Sequence, residues 1–292
     1  MQISMFFGRI KTTFIIIPLM FLSVFPAAVN ANSVNEEEMA KQSVNNYINA
    51  IQMGDVTEAV NWVIDTRFES INEQIEQYQE AISTDPFSNA SLESIVSNSD
   101  SSFTVTLKLI RKENNEVNRV LLPVIKKDGE WKLLLDGQET MSDLVRKKIE
   151  SERFSHRNTS QIMNDGMISP QASVYLGSYD EWLSKGGKTY SDKFDMTDLK
   201  IGISGYQYKP GFQDSVTAVY QVVKKGLFSD DVLGESIKTG YYPELPEYAK
   251  ESFYQVLTLS NTNKPPSGVY LKVKNPSDNS GVAVKGWIYE NQ

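Results

Sequence analysis

The sequence predicts two units joined by a linker: an α+β unit of helices packed on an antiparallel sheet, then an all-β sandwich of immunoglobulin-like type. Three observations carry this. Helical periodicity near the N-terminus gives way to strand alternation between Phe103 and Gly137. All periodicity then fades from Phe154 to Pro170. Beyond that gap lie 12 of the 14 tyrosines, in short runs separated by turn clusters.

The chain opens with Arg9 and Lys11, an apolar run from Phe14 to Phe25, and the small residues Val29 and Ala31. This is the pattern of a secretory signal peptide over residues 1–31, cleaved after Ala31. The apolar run is shorter than the ~20 residues that span a bilayer and contains Pro18, which favours cleavage over an uncleaved anchor. The expected product is a secreted or cell-envelope protein with no stable membrane insertion. Zero cysteines exclude a lipid-anchored lipoprotein and point to a fold held by core burial, as in a Gram-positive exporter.

Asn35 with Glu38 forms a capping-box start. Met39, Val44, Tyr47, Ile48 and Ile51 then share one helical face, and Gly54 ends it. Asp55 with Glu58 repeats the start signal for a short helix bearing Val56, Ala59, Val60, Val63 and Ile64. A third helix is expected from about Thr66 to Thr84, striped by Phe68, Ile71, Ile75, Tyr78 and Ile82 and stopped at Asp85-Pro86. Leu92–Val96 reads as a first strand. Phe103, Val105, Leu107 and Leu109 alternate as a second, and Asn114-Asn115 and Asp128-Gly129 supply the turns of a meander.

The segments YINAIQMGDVTEAVNW and VIKKDGEWKLLL resemble secreted bacterial members of the nuclear-transport-factor-like superfamily, cone-shaped relatives of the cystatin fold. The resemblance covers about residues 36–136 and implies a curved sheet wrapped on helices, with Trp131 as packing and a pocket between the layers. It implies no one activity, since the superfamily holds both enzymes and non-catalytic binding domains. This sets the first domain at residues 32–153, one further helix near Met141–Ile149 included. The linker is residues 154–170 and the sandwich residues 171–292. Candidate sandwich strands are Ser173–Tyr179, Leu199–Tyr208, Val216–Lys224, Phe253–Ser260, Val269–Lys274 and Val282–Tyr289. Ser229–Ser236 and Pro246–Lys250 read as short helical insertions.

Composition narrows the chemistry. Residues 32–100 carry 13 acidic and 2 basic side chains, and no later stretch concentrates enough base to bind phosphates, so nucleic acid is excluded as a partner. Without cysteine and with His156 alone, thiol catalysis and multi-histidine metal centres are impossible. Lys185-Gly-Gly-Lys-Thr189 fails the phosphate-loop pattern, with Trp182 where a glycine is required, and reads as a turn. Gly202-Ile-Ser-Gly-Tyr206 fails the nucleophile-elbow pattern and reads as a strand with a bulge. Asp192, Asp195, Asp198 and Asp230-Asp231 lack the alternation of a calcium loop and read as solvated loop residues. No metal or cofactor is expected.

The leading expectation is a non-catalytic binding or accessory protein, with a cell-wall polymer or an extracellular protein as partner. Its recognition surface draws on Tyr179, Trp182, Tyr206, Tyr208, Tyr241, Tyr242 and Tyr248, because Tyr and Trp combine rigid area with a polar tip. Two alternatives remain. One is a carboxylate-dependent hydrolase of an envelope polysaccharide using Glu244 and Glu247. The other is small-ligand capture in the cone pocket near Tyr47, Trp62, Tyr78 and Trp131.

Overall fold

A computed structural model describes residues 31–158, 174–244, 252–260, 264–276 and 281–290, with side chains from residue 35 to 151 in the first stretch. The signal-peptide region therefore lies outside the described residues. No helix among them is long and apolar enough to cross a membrane.

The first unit contains α1 (Ala31–Met53), α2 (Val56–Ala59), β1 (Val63–Asp65), α3 (Ile71–Thr84), β2 (Phe87–Ser99), β3 (Ser102–Arg111), β4 (Val117–Lys127) and β5 (Glu130–Leu135). The order β1-β5-β4-β3-β2 makes one sheet, antiparallel apart from the parallel β1–β5 edge. The helices cover one face. Val105, Leu107 and Leu109 of β3 and Val120, Leu122 and Val124 of β4 pack beneath Val44, Tyr47, Ile48 and Ile51 of α1.

Local signals set the boundaries. Gly54 takes the left-handed φ of +73° that ends α1, and Asp55 accepts from the Glu58 N–H to start α2. Asp128 and Gly129 both have positive φ, as a tight β4–β5 turn requires. Trp131 is buried against Phe103, with ring centroids 4.9 Å apart, and its indole N–H donates to Glu36.

Several expectations shift. α1 begins at Ala31, ahead of Asn35. Val63 and Ile64 leave the short helix for β1, where pairing with Leu133 and Leu134 outweighs helical continuation. α3 starts at Ile71 because Ser70 caps the Glu73 N–H and Glu73 reaches back to the Glu69 N–H.

The second unit contains β6 (Glu139–Thr140), α4 (Asp143–Asn158), β7 (Tyr175–Leu183), β8 (Lys188–Tyr190), β9 (Lys200–Tyr208), β10 (Val216–Lys225), β11 (Asp230–Gly240), β12 (Phe253–Thr258), β13 (Tyr270–Lys274) and β14 (Val282–Glu290). Two sheets, β6-β11-β10-β13-β8 and β12-β9-β14-β7, form the sandwich. Ile203, Tyr220, Val222, Phe253, Leu271 and Ile288 lie among the residues between them. β6 follows the first unit in sequence but pairs in parallel with β11. α4 runs through Asn158, beyond the point where the apolar period fades, and carries His156. The expected helical insertion at Ser229–Ser236 is instead β11, paired along β10. Gly202–Tyr206 is a strand as expected, though its pairing with β12 and β14 is regular and holds no bulge.

The β10–β11 turn joins the units. Leu227 and Phe228 at its tip belong to the core of the first unit, not of the sandwich. The Tyr47 hydroxyl donates to the Leu227 carbonyl, the Leu227 N–H donates to Asp85 at 3.0 Å, and the Phe228 ring meets Tyr47 edge-on at 5.7 Å. The turn thus fills the open end of the helix-and-sheet layer.

Beside the plug lies a buried charge network. Asp230, expected in a solvated loop, is fully buried. It accepts from Arg67 at 3.0 Å, from the Tyr190 hydroxyl at 2.6 Å and from Lys272 at 2.9 Å. Burial opposes its ionisation, but Arg67 and Lys272 hold its pKa below the usual carboxylate range. Arg67 also grips Asp65, and Arg111 pairs with Asp231. Burial outweighs Arg111 at Asp231 and raises its pKa.

Candidate functional site

The four-stranded sheet turns one face inward and the other away from the sandwich core. Along β14, Val282, Val284, Gly286, Ile288 and Glu290 are buried, while Ala283, Lys285, Trp287 and Tyr289 alternate with them as half-buried residues. The register extends this outer face across all four strands. Tyr206 sits opposite Lys285 and Ser204 opposite Trp287; Tyr254 sits opposite Ser204 and Val256 opposite Gly202. On the far side Trp182 pairs with Ala283, Asp180 with Lys285 and Tyr175 with Tyr289.

The result is a sheet face with aromatic rings on every strand. Tyr206 meets Trp287 edge-on at 6.1 Å and Tyr175 meets Tyr289 at 6.2 Å. Glycines let other rings lie close to the backbone. A Cβ on Gly281 would fall 2.0 Å from the Trp182 indole, and one on Gly202 would fall 2.6 Å from the Tyr254 hydroxyl oxygen. Trp182 and Tyr175 are about half exposed, at 51% and 57%. Polar groups stand among the rings: Ser178, Ser204 and the Asp180–Lys285–Glu244 cluster, with Lys285 bonded to Glu244 at 2.7 Å.

The first unit bonds to the opposite, five-stranded sheet and its turns, through Asp230, Asp231, Lys272 and Leu227. That contact explains why β10 and β13 are buried on both faces. The aromatic face lies on the other side of the sandwich.

The sequence candidates divide between the two faces. Trp182, Tyr206 and Tyr208 share the outer face. Tyr179 is a correction: it points inward, buried against Tyr220, because Gly205 and Gly286 face each other across β9 and β14 and leave room for its ring. Tyr242 packs on the sandwich core against Phe253, and Tyr241 is half-buried beside it. Tyr248 and Glu247 lie outside the described residues. Glu244 is exposed and committed to Lys285. Trp287, Tyr289, Tyr254 and Tyr175 belong to the outer face yet were not singled out from sequence. For Trp287 and Tyr289 the signal is the parity of β14, where they alternate with Val284 and Ile288.

Of the residues expected around the cone pocket, Tyr47 and Tyr78 are buried and bonded, Tyr78 donating to Asp65 at 2.9 Å, and they share their core with Leu227 and Phe228. Trp62 bonds to Glu58 at the margin. Two aspartates of the 192–198 loop, read from sequence as solvated, bond to backbone N–H groups. Asp195 accepts from the Gly268 N–H and Asp198 from the Leu199 N–H, and among the described residues no three metal-ligating side chains gather.

No family model matches the chain and no curated protein matches it. Among solved structures, an NTF-2-like protein of unknown function from Shewanella oneidensis MR-1 is similar at 15% identity. The match covers 35% of this chain and 97% of that one, with a TM-score of 0.28. A structure of carbohydrate-binding modules from the β-sandwich superfamily is similar at 11% identity over 64% of this chain and 72% of that one, with a TM-score of 0.22. At these values neither likeness says what the chain does.

Proposed function

We propose that the protein is an exported, non-catalytic binding or accessory protein of the bacterial cell envelope or exterior, processed after Ala31, whose immunoglobulin-like sandwich holds a polysaccharide chain. The observation that carries this reading is the outer face of the β12-β9-β14-β7 sheet, where Trp182, Tyr206, Trp287 and Tyr254 alternate with hydroxyl and charged groups. A sugar ring has a flat C–H face and a rim of hydroxyls. The aromatic rings suit the first, and Ser178, Ser204, Asp180 and Lys285 suit the second. Protein interfaces also favour Tyr and Trp, so it is the hydroxyl and charged groups set between the rings that favour a sugar, with Val256 exposed beside them.

The test is co-sedimentation of the chain from residue 32 to 292 with insoluble cell-wall polysaccharide, against a protein-coated bead control. Retention on the polysaccharide that soluble oligosaccharide competes away is the expected result. Retention on the protein beads alone would replace this reading with a protein partner.

A further inference from the structure

A cleft of about 710 Å³ opens between the two units, within the size range of small-molecule sites. Arg67, Glu69, Glu73 and Gln77 line it from the first unit. The 185–187 turn, β8 and Tyr270 line it from the second, and Lys225 at the end of β10 reaches it from between them. The Lys225 ammonium lies 4.1 Å from the Tyr270 ring centroid, 4.6 Å from Tyr190 and 4.9 Å from Phe68, and donates to the Arg67 carbonyl at 2.9 Å.

Lys225 differs from the neighbouring cations. Arg67 faces Asp65 and Asp230, Lys188 faces Asp136 and Lys193 faces Glu80. Among the described residues no carboxylate lies within ion-pair distance of Lys225. Its charge is held by three ring faces and a carbonyl, in a site from which water has been partly removed. An incoming anion would supply the missing counterion.

The remaining lining limits what that anion is. Lys188 is already matched by Asp136 and Lys193 by Glu80, and Glu69, Glu73 and Asp192 add negative charge to the lining, so a single ligand charge on Lys225 fits better than two. The same carboxylates, with Gln77 and Thr189, accept hydrogen bonds from hydroxyls. We propose that the cleft binds a polyhydroxylated monocarboxylate, an acidic sugar, with its carboxylate on the Lys225 ammonium. This site is separate from the aromatic sheet face, so either can fail alone.

Binding should depend on pH. Burial, then the like charge of Arg67, lowers the Lys225 pKa to about 8; Asp230, Glu73 and Asp65 oppose that shift, and Tyr190, Tyr270 and Lys272 complete the surroundings. The protonated form binds the carboxylate, so affinity falls as pH rises through about 8.

The test is isothermal titration calorimetry of residues 32–292 with glucuronate and with glucose, at pH 7 and pH 9. Glucuronate should bind at least about ten-fold more tightly than glucose at pH 7 and lose about ten-fold at pH 9, as the ammonium fraction drops. Lys225→Met should erase the preference. Lys225→Arg, whose charge does not titrate, should keep it at both pH values, and this variant with the wild-type pH profile decides the matter if Lys225→Met does not fold. Equal affinity for the two sugars, no binding of glucuronate, or an Arg variant that still loses affinity at pH 9 would overturn the proposal.

Discussion

Tyr47 on the first helix donates its hydroxyl to the carbonyl of Leu227, a residue 180 positions further along the chain. Burial raises the Tyr47 pKa, so the hydroxyl stays a donor, and the bond ties a helix of one unit to a turn of the other. The two units are therefore one packing problem, with Leu227 and Phe228 completing a core that the helices and sheet leave open.

Phe228→Ala should accordingly destabilise the first unit more than the sandwich that supplies the residue. Truncating a buried Phe costs about 3–5 kcal/mol, and Phe228 is 4% exposed. Trp62 and Trp131 report on the first unit. Urea unfolding followed by fluorescence should show their transition moving to lower denaturant, and an unmoved midpoint would mean that the turn merely rests on the cone.

Asp230 ties the interface electrostatically. Replacing it with Asn leaves Arg67 and Lys272 short of a buried counter-charge, which costs about 3–5 kcal/mol in comparable sites. Its folded pKa is depressed, so its contribution is present above its unfolded value of about 3.9 and is lost as pH falls through the folded value. Asp85 and Asp231 have raised pKa values, so their contribution has the opposite sign and fades as pH rises. The melting temperature of Asp230→Asn should sit well below wild type at pH 7, and the gap should narrow only as pH falls below the ordinary carboxylate range toward the depressed folded value. Equal melting temperatures at pH 7 would remove Asp230 from the account.

Which features were legible in sequence follows from how local they are. The hairpin at Asp128-Gly129, the alternation of β3 and the stop at Gly54 depend on a few neighbouring residues, and each stands where periodicity places it. Asp230 looked like a solvated loop residue because its partners Arg67, Tyr190 and Lys272 are distant in sequence and only the fold gathers them. β11 was hidden for a related reason: its first residues are acidic yet buried under the first unit, so its outer face carries no polar alternation at that end. The aromatic face was half visible. Tyr206 and Trp182 stood out by type, whereas placing Trp287 beside Tyr206 and turning Tyr179 inward required the register of β9, β14 and β7.

Gly286 tests that register. It lies opposite Gly205, and a Cβ there would come 2.3 Å from the Ser204 carbonyl oxygen and 2.4 Å from the Tyr179 hydroxyl oxygen. Neither the strand backbone nor the buried Tyr179 ring can yield without disturbing the core. Gly286→Ala should destabilise the sandwich by about 1–3 kcal/mol. The double variant with Tyr179→Phe should recover part of that loss, because it removes the hydroxyl that clashes. No loss in the single variant, measured by thermal unfolding, would place Gly286 on the outer face and reverse the parity of the sheet.

The outer face itself predicts a separation of stability from binding. Trp182 is half exposed on Gly281, and Trp287 is flanked by Tyr206 on the same face, so replacing either with Ala removes aromatic surface from the outer face while leaving the Ile203, Val284 and Ile288 layer beneath intact. Trp182→Ala should keep the unfolding free energy within about 1 kcal/mol of wild type, as substitutions outside a core generally do. It should still weaken retention on polysaccharide by about ten-fold, since one base-sized ring stacked on a partner contributes about 1–3 kcal/mol in other flat-ligand sites. Tyr179→Phe, inside the sandwich, is the control and should leave retention unchanged. If Trp182→Ala binds as wild type while Tyr179→Phe does not, recognition runs through the core-facing side of β7, and the outer aromatic face is packing without a ligand.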